Sequence, residues 1–292
     1  MMEITLWGTR GSLASPGPDT ARHGGNTACV SVQADGYVLV LDAGTGVRRL
    51  GATLPKDTRR IDLLLTHLHM DHIQGLGFFA PLYQAGTEVH VWGPASTTLT
   101  LRTRLSRYLS PPFFPVHLRD LACCLTLHEV PCGEVAIGPF RVRSSLVCHP
   151  GPTVGYRIEC DGASMAYLSD HEPALGVPNF PGAPEWTSGY ALAANVDLLV
   201  HDAQYTQAEY AERAGWGHSS VDDALRFGML ARVGELVPFH HDPEHGDDEI
   251  DRIVADAVAA VKPSFPVTPA AEGATFKLGA GKADRRQRRR SA

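Results

Sequence analysis

The sequence predicts a layered α/β fold in which β-sheets are buried between helices. The chain has 292 residues, of which 43% are hydrophobic, and this is enough for a sizeable core. Short β-branched or aliphatic runs recur along it, bounded by glycine, proline or aspartate. Helix-like stretches separate the later runs, and this alternation is typical of layered α/β proteins.

Ten runs have the length and composition of strands. They cover residues 3–7, 29–33, 37–41, 61–65, 88–92, 140–147, 154–159, 164–168, 197–201 and 235–239. Four helices are predicted at 95–107, 207–214, 221–231 and 247–261. Ser219 and Ser220 are N-cap candidates for the third helix, and the acids that follow suit its positive end.

The charge is unevenly distributed. There are 26 lysines and arginines against 32 aspartates and glutamates, and six of the basic residues lie after position 281. The rest of the chain is therefore acidic, which disfavours a generic nucleic-acid binder. We predict one globular domain over residues 1–278 and a disordered, solvated basic tail over 279–292.

Composition also indicates the compartment. Apolar runs fall short of the roughly 18 residues that a membrane helix needs. The start of the chain lacks the basic and apolar regions of a secretory signal, and the six cysteines contain no C-x-x-C pair. We expect a cytoplasmic protein with reduced thiols and no membrane partner. The glycine-rich segments match no nucleotide-cofactor motif, and residues 8–12 are interpreted as a loop.

A dense set of potential metal ligands follows the apolar run 61–65. The segment THLHMDH contains His67, His69, Asp71 and His72. In an extended segment His67 and His69 point to the same side, whereas the next two ligands can address a second ion. Imidazole and carboxylate suit zinc and similar divalent ions.

Further candidates follow other apolar strands. They are His149, Asp170 and the pair His240 and His241. Sheet scaffolds build sites at one edge from such polar strand ends. Because one cluster cannot complete two metal sites, we expect these residues to supply the remaining ligands.

THLHMDH resembles the H-x-H-x-D-H motif of the metallo-β-lactamase superfamily. The later motifs are similar, in their order, to the ribonuclease Z-type phosphodiesterase branch. They are LDAGTG at 41–46, His149 before Gly155-Tyr156, Tyr167 with Asp170, residues 201–205, His218-Ser219-Ser220 and the strand before His240. The resemblance spans about residues 1–251 and implies an αββα four-layer sandwich with metals at one edge of the sheets.

The resemblance also implies two divalent metal ions, zinc first and manganese as the alternative. His67, His69 and His149 would hold one ion, and Asp71, His72 and His240 the other, with Asp170 bridging. His241 is an alternative to His240, which we prefer because the strand leads directly to it. His218 is implied as general acid, oriented by Asp202, and Asp71 as a group that positions the nucleophile.

Two metal ions that share a water lower its pKa for attack on phosphorus. Ribonuclease Z carries a long tRNA-binding arm between the equivalents of His149 and Asp170, and this chain has only 20 residues there. A second departure is Asp202, where that branch has glutamate. We therefore expect a small-molecule phosphodiester as substrate, a 3′,5′-cyclic nucleotide first, and no tRNA partner.

Three alternatives remain open: hydrolysis of lactones or carboxylic esters, ribonuclease Z-like RNA cleavage, and a sensor module that binds metal without turnover. The resemblance also suggests a homodimer.

Several residues have two interpretations. Asn26 and Thr27 either approach the site or form a turn, and Asp42 either orients a ligand histidine or shapes its own turn. Two aromatic groups either stack on a base or belong to the core, namely Phe78 and Phe79 with Tyr83, and Phe113 with Phe114. Arg22 and Arg157 either meet a phosphate or form surface ion pairs.

Overall fold

A computed structural model describes residues 1–130, 132–175 and 180–279. Its strands are β1 (Met2–Gly8), β2 (Cys29–Ala34), β3 (Tyr37–Leu41), β4 (Arg60–Leu64), β5 (Glu88–Pro94), β6 (Cys124–Val130), β7 (Gly133–Ile137), β8 (Phe140–Leu146), β9 (Val154–Cys160), β10 (Ala163–Leu168), β11 (Leu198–Asp202), β12 (Leu236–Phe239) and β13 (Thr275–Leu278). Its helices are α1 (Val47–Thr53), α2 (Met70–Ile73), α3 (Leu101–Tyr108), α4 (Tyr190–Ala193), α5 (Gln207–Arg213), α6 (Val221–Ala231) and α7 (Asp247–Val261).

The strands form two sheets. One has the order β13-β1-β2-β3-β4-β5-β6 and the other β12-β11-β10-β9-β8-β7. Strands β3 to β6 are parallel, as are β10, β11 and β12. The carboxyl ends of parallel neighbours meet at one edge of a sheet, where α/β proteins usually bind their ligands.

The sheets face each other across a central apolar layer that includes Leu39, Phe140 and Phe239. Residues of α1 and α3 pack on the outer face of the first sheet. Residues of α6 and α7 pack on the outer face of the second. This arrangement is the four-layer αββα sandwich that the resemblance implies, so the predicted fold class is confirmed.

All ten predicted strands are present, with ends shifted by at most two residues. The helix predicted at 95–107 is wrong at its start, because Thr100 accepts a hydrogen bond from Thr103 N and α3 begins after it. Ser220 caps α6 in the same way, through Asp223 N. Three strands were not predicted: β6, β7 and β13.

The predicted basic tail, apart from Gly279, lies outside the described residues. Among the described helices, none combines the length and apolar character that crossing a bilayer requires. All six cysteines are free thiols.

Candidate metal centre

The site lies where the two sheets present the carboxyl ends of their strands. Residues 65–69 lead from β4 into α2, whose first turn contains Asp71 and His72. His149 follows β8, Asp170 follows β10, Asp202 ends β11 and His240 follows β12 directly. Five strand ends thus bring residues from across the chain to one edge of the sandwich.

Three histidines form the first group. One ring nitrogen each of His67, His69 and His149 lies within 4.8 Å of the others. His149 Nε2 and His69 Nδ1 are 3.2 Å apart. His67 is buried and His69 exposed, so the group reaches from the interior to the surface.

The second group contains two carboxylates and two imidazoles, all buried: Asp71, His72, Asp170 and His240. Asp71 Oδ2 lies 3.2 Å from His72 Nε2 and 3.1 Å from His240 Nε2. Asp170 Oδ1 lies 2.9 Å from His72 Nε2 and 3.4 Å from His240 Nε2.

Asp170 joins the two groups through its two oxygens. Oδ1 faces the second group, whereas Oδ2 is 3.8 Å from Nε2 of both His67 and His149. One carboxylate therefore presents one oxygen to each group, as a bridging ligand would.

The donor set fits divalent cations. His72 Nε2 and Asp170 Oδ1 are 2.9 Å apart, yet neither atom has a hydrogen-bond partner; His67 Nε2 is also buried without one. His72 donates from Nδ1 to Asp42, so in the neutral ring Nε2 presents a lone pair towards an oxygen that is also an acceptor. A cation between such atoms satisfies both.

In four of the five candidate ligand rings, those of His67, His72, His149 and His240, Nδ1 contacts an oxygen. Nδ1 of His149 donates to Gly217 O at 2.8 Å, and Nδ1 of His240 donates to Gln204 Oε1 at 3.1 Å. Such partners fix the ring orientation and leave Nε2 for a metal.

The pKa directions agree with this reading for the first group. Burial lowers the pKa of His67, His69 and His149, so these imidazoles are neutral near pH 7 and have free lone pairs. Burial opposes ionisation of Asp170, but the surrounding histidines hold its pKa well below the usual value.

His72 differs. Burial would lower its pKa, but Asp170, Asp71 and Asp42 together raise it well above the ordinary value. In the metal-free chain a proton therefore competes with a cation for His72 Nε2, and metal binding there releases that proton.

Asp42 is the main support of the second group. Its buried carboxylate accepts hydrogen bonds from His72 Nδ1 at 2.8 Å, Thr66 N at 2.7 Å and the Tyr167 hydroxyl at 3.0 Å. Of the two interpretations of Asp42, the structure thus shows the contact with a candidate ligand histidine.

Two further supports were missed in the sequence. Ser12 N donates to Asp71 Oδ2 at 2.8 Å, and Gln204 holds His240. A Cβ at Gly11 would lie 2.4 Å from His240 Nδ1, so the loop after β1 packs directly on this ring. The sequence feature that could have indicated this loop is its position directly after strand β1, which resembles the position of the other site residues after their strands.

His218 lies beside both groups. Its Nδ1 donates to Asp202 Oδ2 at 2.7 Å and is 3.9 Å from Asp170 Oδ2. Its ring stacks on that of His240, with centroids 5.0 Å apart. Burial would lower the pKa of His218, but Asp202 first, then Asp170 and Asp71, raise it to about 9.

A buried glutamate fixes the loop before His218. Glu172 accepts hydrogen bonds from Gly215 N, Gly217 N and the Tyr210 hydroxyl. This loop also provides the carbonyl that holds His149, so Glu172 supports both residues. No local pattern around Glu172 indicates this role.

The remaining candidate residues have other hydrogen-bond or ion-pair partners. His241 donates from Nε2 to Ala270 O at 3.0 Å, and burial lowers its pKa to about 3. Asn26 Nδ2 donates to Glu272, and Thr27 N donates to the Thr45 hydroxyl. Thr27 also packs beside Asp71, because a Cβ at Gly44 would meet both the Thr27 hydroxyl and the Asp71 carbonyl. Arg22 and Arg157 form ion pairs with acidic residues.

The aromatic candidates fall into two sets, one packed within the protein and one lining a cavity. Phe79 is in the core, and the Tyr83 hydroxyl donates to Gly77 O. Phe78, Phe113 and Phe114 line a cavity next to the H-x-H-x-D-H segment.

Residues 37–241 match the family model of the β-lactamase superfamily domain. The chain is 31% identical to a protein named Ribonuclease Z from Mycobacterium marinum, over 83% of this chain and 87% of that protein. Among solved structures, the metallo-β-lactamase fold protein YhfI from Bacillus subtilis aligns with TM-score 0.69 and 20% identity, covering 94% of this chain and 98% of that one. A diphosphatase of the PhnP family aligns with TM-score 0.67 and 18% identity, covering 95% and 98%. The protein described here therefore belongs to the β-lactamase superfamily and is a hydrolase with the metallo-β-lactamase fold.

Proposed function

We propose that this protein is a two-metal phosphodiesterase that hydrolyses a small phosphodiester, with a 3′,5′-cyclic nucleotide as its first candidate substrate. One observation carries the proposal: Asp170 is shared by two groups of metal-ligand type, and the Asp202–His218 pair lies 3.9 Å from it. Such an arrangement supplies groups for both oxygens of a phosphodiester cleavage: the metal ligands for the attacking oxygen and His218 for the departing one.

In this proposal His67, His69 and His149 would hold one cation. Asp71, His72 and His240 would hold the other, with Asp170 as the ligand that both groups share. Five of these seven side chains are imidazoles, which favours zinc, with manganese as the alternative. When bound, such a pair of ions polarises phosphoryl oxygens and lowers the pKa of water.

His218 would act as general acid. Its Nδ1–H is engaged by Asp202, so Nε2–H is the proton available to the departing alkoxide. Asp202 is a positioning residue: its second oxygen accepts from Ser219 N at 3.0 Å, which fixes the carboxylate beneath the ring. Asp71, held by Ser12 N, would orient the attacking water at Oδ2.

The pair also favours phosphodiester cleavage over ester or lactone hydrolysis. An alkoxide departing from phosphorus needs a proton near neutral pH, and a pKa of about 9 keeps His218 protonated there. The alternative of ester or lactone hydrolysis is tested below with an acyl-homoserine lactone.

RNA cleavage is the second candidate function, favoured by the 31% identity with a protein named Ribonuclease Z. The segment between His149 and Asp170 argues against tRNA as substrate, because it consists of the hairpin β9–β10 with short connections and has no long arm. We keep tRNA outside the proposed partners, and a cytoplasmic homodimer remains a prediction.

The test is turnover by the full chain after metal analysis. We expect hydrolysis of bis-p-nitrophenyl phosphate and of at least one of cAMP, cGMP or cyclic CMP, and little cleavage of an acyl-homoserine lactone or a tRNA precursor. His67→Ala should lose bound metal and activity together, whereas the control His128→Ala should keep both. Cleavage of the lactone or the tRNA precursor alone would overturn the proposal.

A further inference from the structure

A cavity of about 660 Å³ opens beside the candidate metal centre. Its walls are largely apolar and aromatic and include Leu68, Met70, Phe78, Tyr108, Phe113 and Phe114. We call it the aromatic cavity. Its size is within the range of small-molecule sites, and it has no role in the chemistry described above.

The aromatic cavity and the metal centre share one segment of chain. Leu68 and Met70 line the cavity, and they alternate along the sequence with His67, His69 and Asp71. Consecutive Cα atoms are about 3.8 Å apart. The cavity therefore begins one residue away from the ligand side chains, and a molecule whose phosphate lies at the metal centre would have to pass the exposed His69 to reach it.

One ring is built into the fold and two are left at the surface. Phe114 is buried, and Phe78 packs edge-on against it with centroids 5.6 Å apart. A Cβ at Gly77 would lie 2.5 Å from Phe114 Cζ, so glycine is needed for this ring to approach. Phe78 and Phe113 remain 58% and 76% exposed, and clustered exposed aromatic side chains mark binding surfaces.

The cavity also contains a polar group that lacks a partner. Arg104 lines it, and its buried Nε–H has no hydrogen-bond partner among the described residues, although its Nη2 donates to Pro94 O. A purely aliphatic occupant would leave that donor unsatisfied. A flat aromatic occupant with acceptor atoms on its edge would both stack on the phenylalanines and accept from Arg104.

We propose that the aromatic cavity is a nucleobase subsite, which holds the base of a nucleotide whose phosphate lies at the metal centre. The inference rests on the proposed function for the position of the phosphate. It predicts that the enzyme prefers diesters that carry a base over diesters of simple alcohols.

The test is calorimetric binding to the zinc-loaded full chain, so that it does not depend on turnover. The ligands are adenosine 5′-monophosphate and ribose 5-phosphate, which differ by the base. We expect the nucleotide to bind more tightly, by about 5- to 150-fold if one base stacks on aromatic rings. Phe78→Ala and Phe113→Ala should reduce that ratio and leave the affinity for ribose 5-phosphate unchanged.

Trp186→Ala is the matched control, since this aromatic side chain is 80% exposed and lies outside the cavity. It should keep the wild-type ratio. Both phenylalanines are exposed, so we expect their variants to fold, and thermal unfolding checks this.

Equal affinities for the two ligands in the wild type, or no detectable nucleotide binding, would overturn the subsite. So would a Phe113→Ala variant that dissociates a dimer in sedimentation while the affinity ratio stays unchanged, because the rings would then belong to an interface between copies. A chain that binds the nucleotide with the expected ratio but hydrolyses no phosphodiester supports the subsite and refutes the proposed reaction instead.

Discussion

Asp202 Oδ2 accepts a hydrogen bond from Nδ1 of His218 at 2.7 Å, across 16 positions of the chain. The carboxylate is fully buried and is held from its other side by Ser219 N. The pair therefore fixes the orientation of an imidazole that lies beside the metal centre, so the shorter side chain of Asp202 still reaches His218.

His218→Ala should keep the bound metal and slow the reaction by roughly 10²–10⁴-fold, which is the usual contribution of a general acid. The loss should be smallest for p-nitrophenolate, because that leaving group departs without a proton. Metal content and kcat for cAMP and for bis-p-nitrophenyl phosphate are the measurements, with His128→Ala as the control. Equal losses on the two substrates would contradict the acid role.

The dependence of kcat on pH should reflect the ionisation of His218 and its contact with Asp202. Because the pKa of His218 is raised to about 9, its proton is present at neutral pH and is lost as the pH rises through that region. Bound cations offset the charges of Asp170 and Asp71, so the alkaline limb of kcat should lie at or below about pH 9. In Asp202→Asn the largest upward influence on this pKa is gone, and the limb should move towards neutral pH. A limb that does not move would show that another group limits the rate.

Asp42→Asn should weaken metal binding without removing a ligand. The substitution takes away a charge that accepts from His72 Nδ1, and partners of ligand histidines typically contribute 10- to 100-fold in metal affinity. Zinc affinity by competition with a chelator is the measurement. Asp62→Asn is the control, since Asp62 on β4 is also a buried carboxylate and binds Arg60 of the same strand and Trp92 of β5. Equal losses of affinity in both variants would point to general destabilisation.

Much of this site could be predicted because its residues lie at the ends of apolar strands. His67, His69, Asp71 and His72 form one dense segment after β4, and His240 follows a strand whose direction selects it over His241. Parallel neighbouring strands end at the same edge of a sheet. The local pattern at each strand end was therefore enough to predict that residues distant in the chain lie close together.

The parts that escaped prediction depend on contacts between distant segments. Ser12 and Gln204 act on Asp71 and His240, and no local pattern marks either of them. The missed strands β6, β7 and β13 are half-exposed and mix apolar with charged residues, so they lack the continuous apolar character of the central strands.

Gly11→Ala should damage the second metal group through packing alone. The added Cβ would lie 2.4 Å from His240 Nδ1, closer than atoms can pack, and the ring is fully buried. His240 must then leave the position in which Gln204 holds it. We expect loss of about one of two bound metal ions, with the group formed by His67, His69 and His149 still loaded.

Metal content after dialysis measures this, and Gly17→Ala is the control. A Cβ there would come no closer than 4.0 Å to Thr20 Oγ1, and the backbone at Gly17 is extended, so alanine fits. The control should therefore keep both ions. If Gly11→Ala also keeps two ions and full activity, His240 does not contribute to the second site, and His72, Asp71 and Asp170 must hold that ion without it.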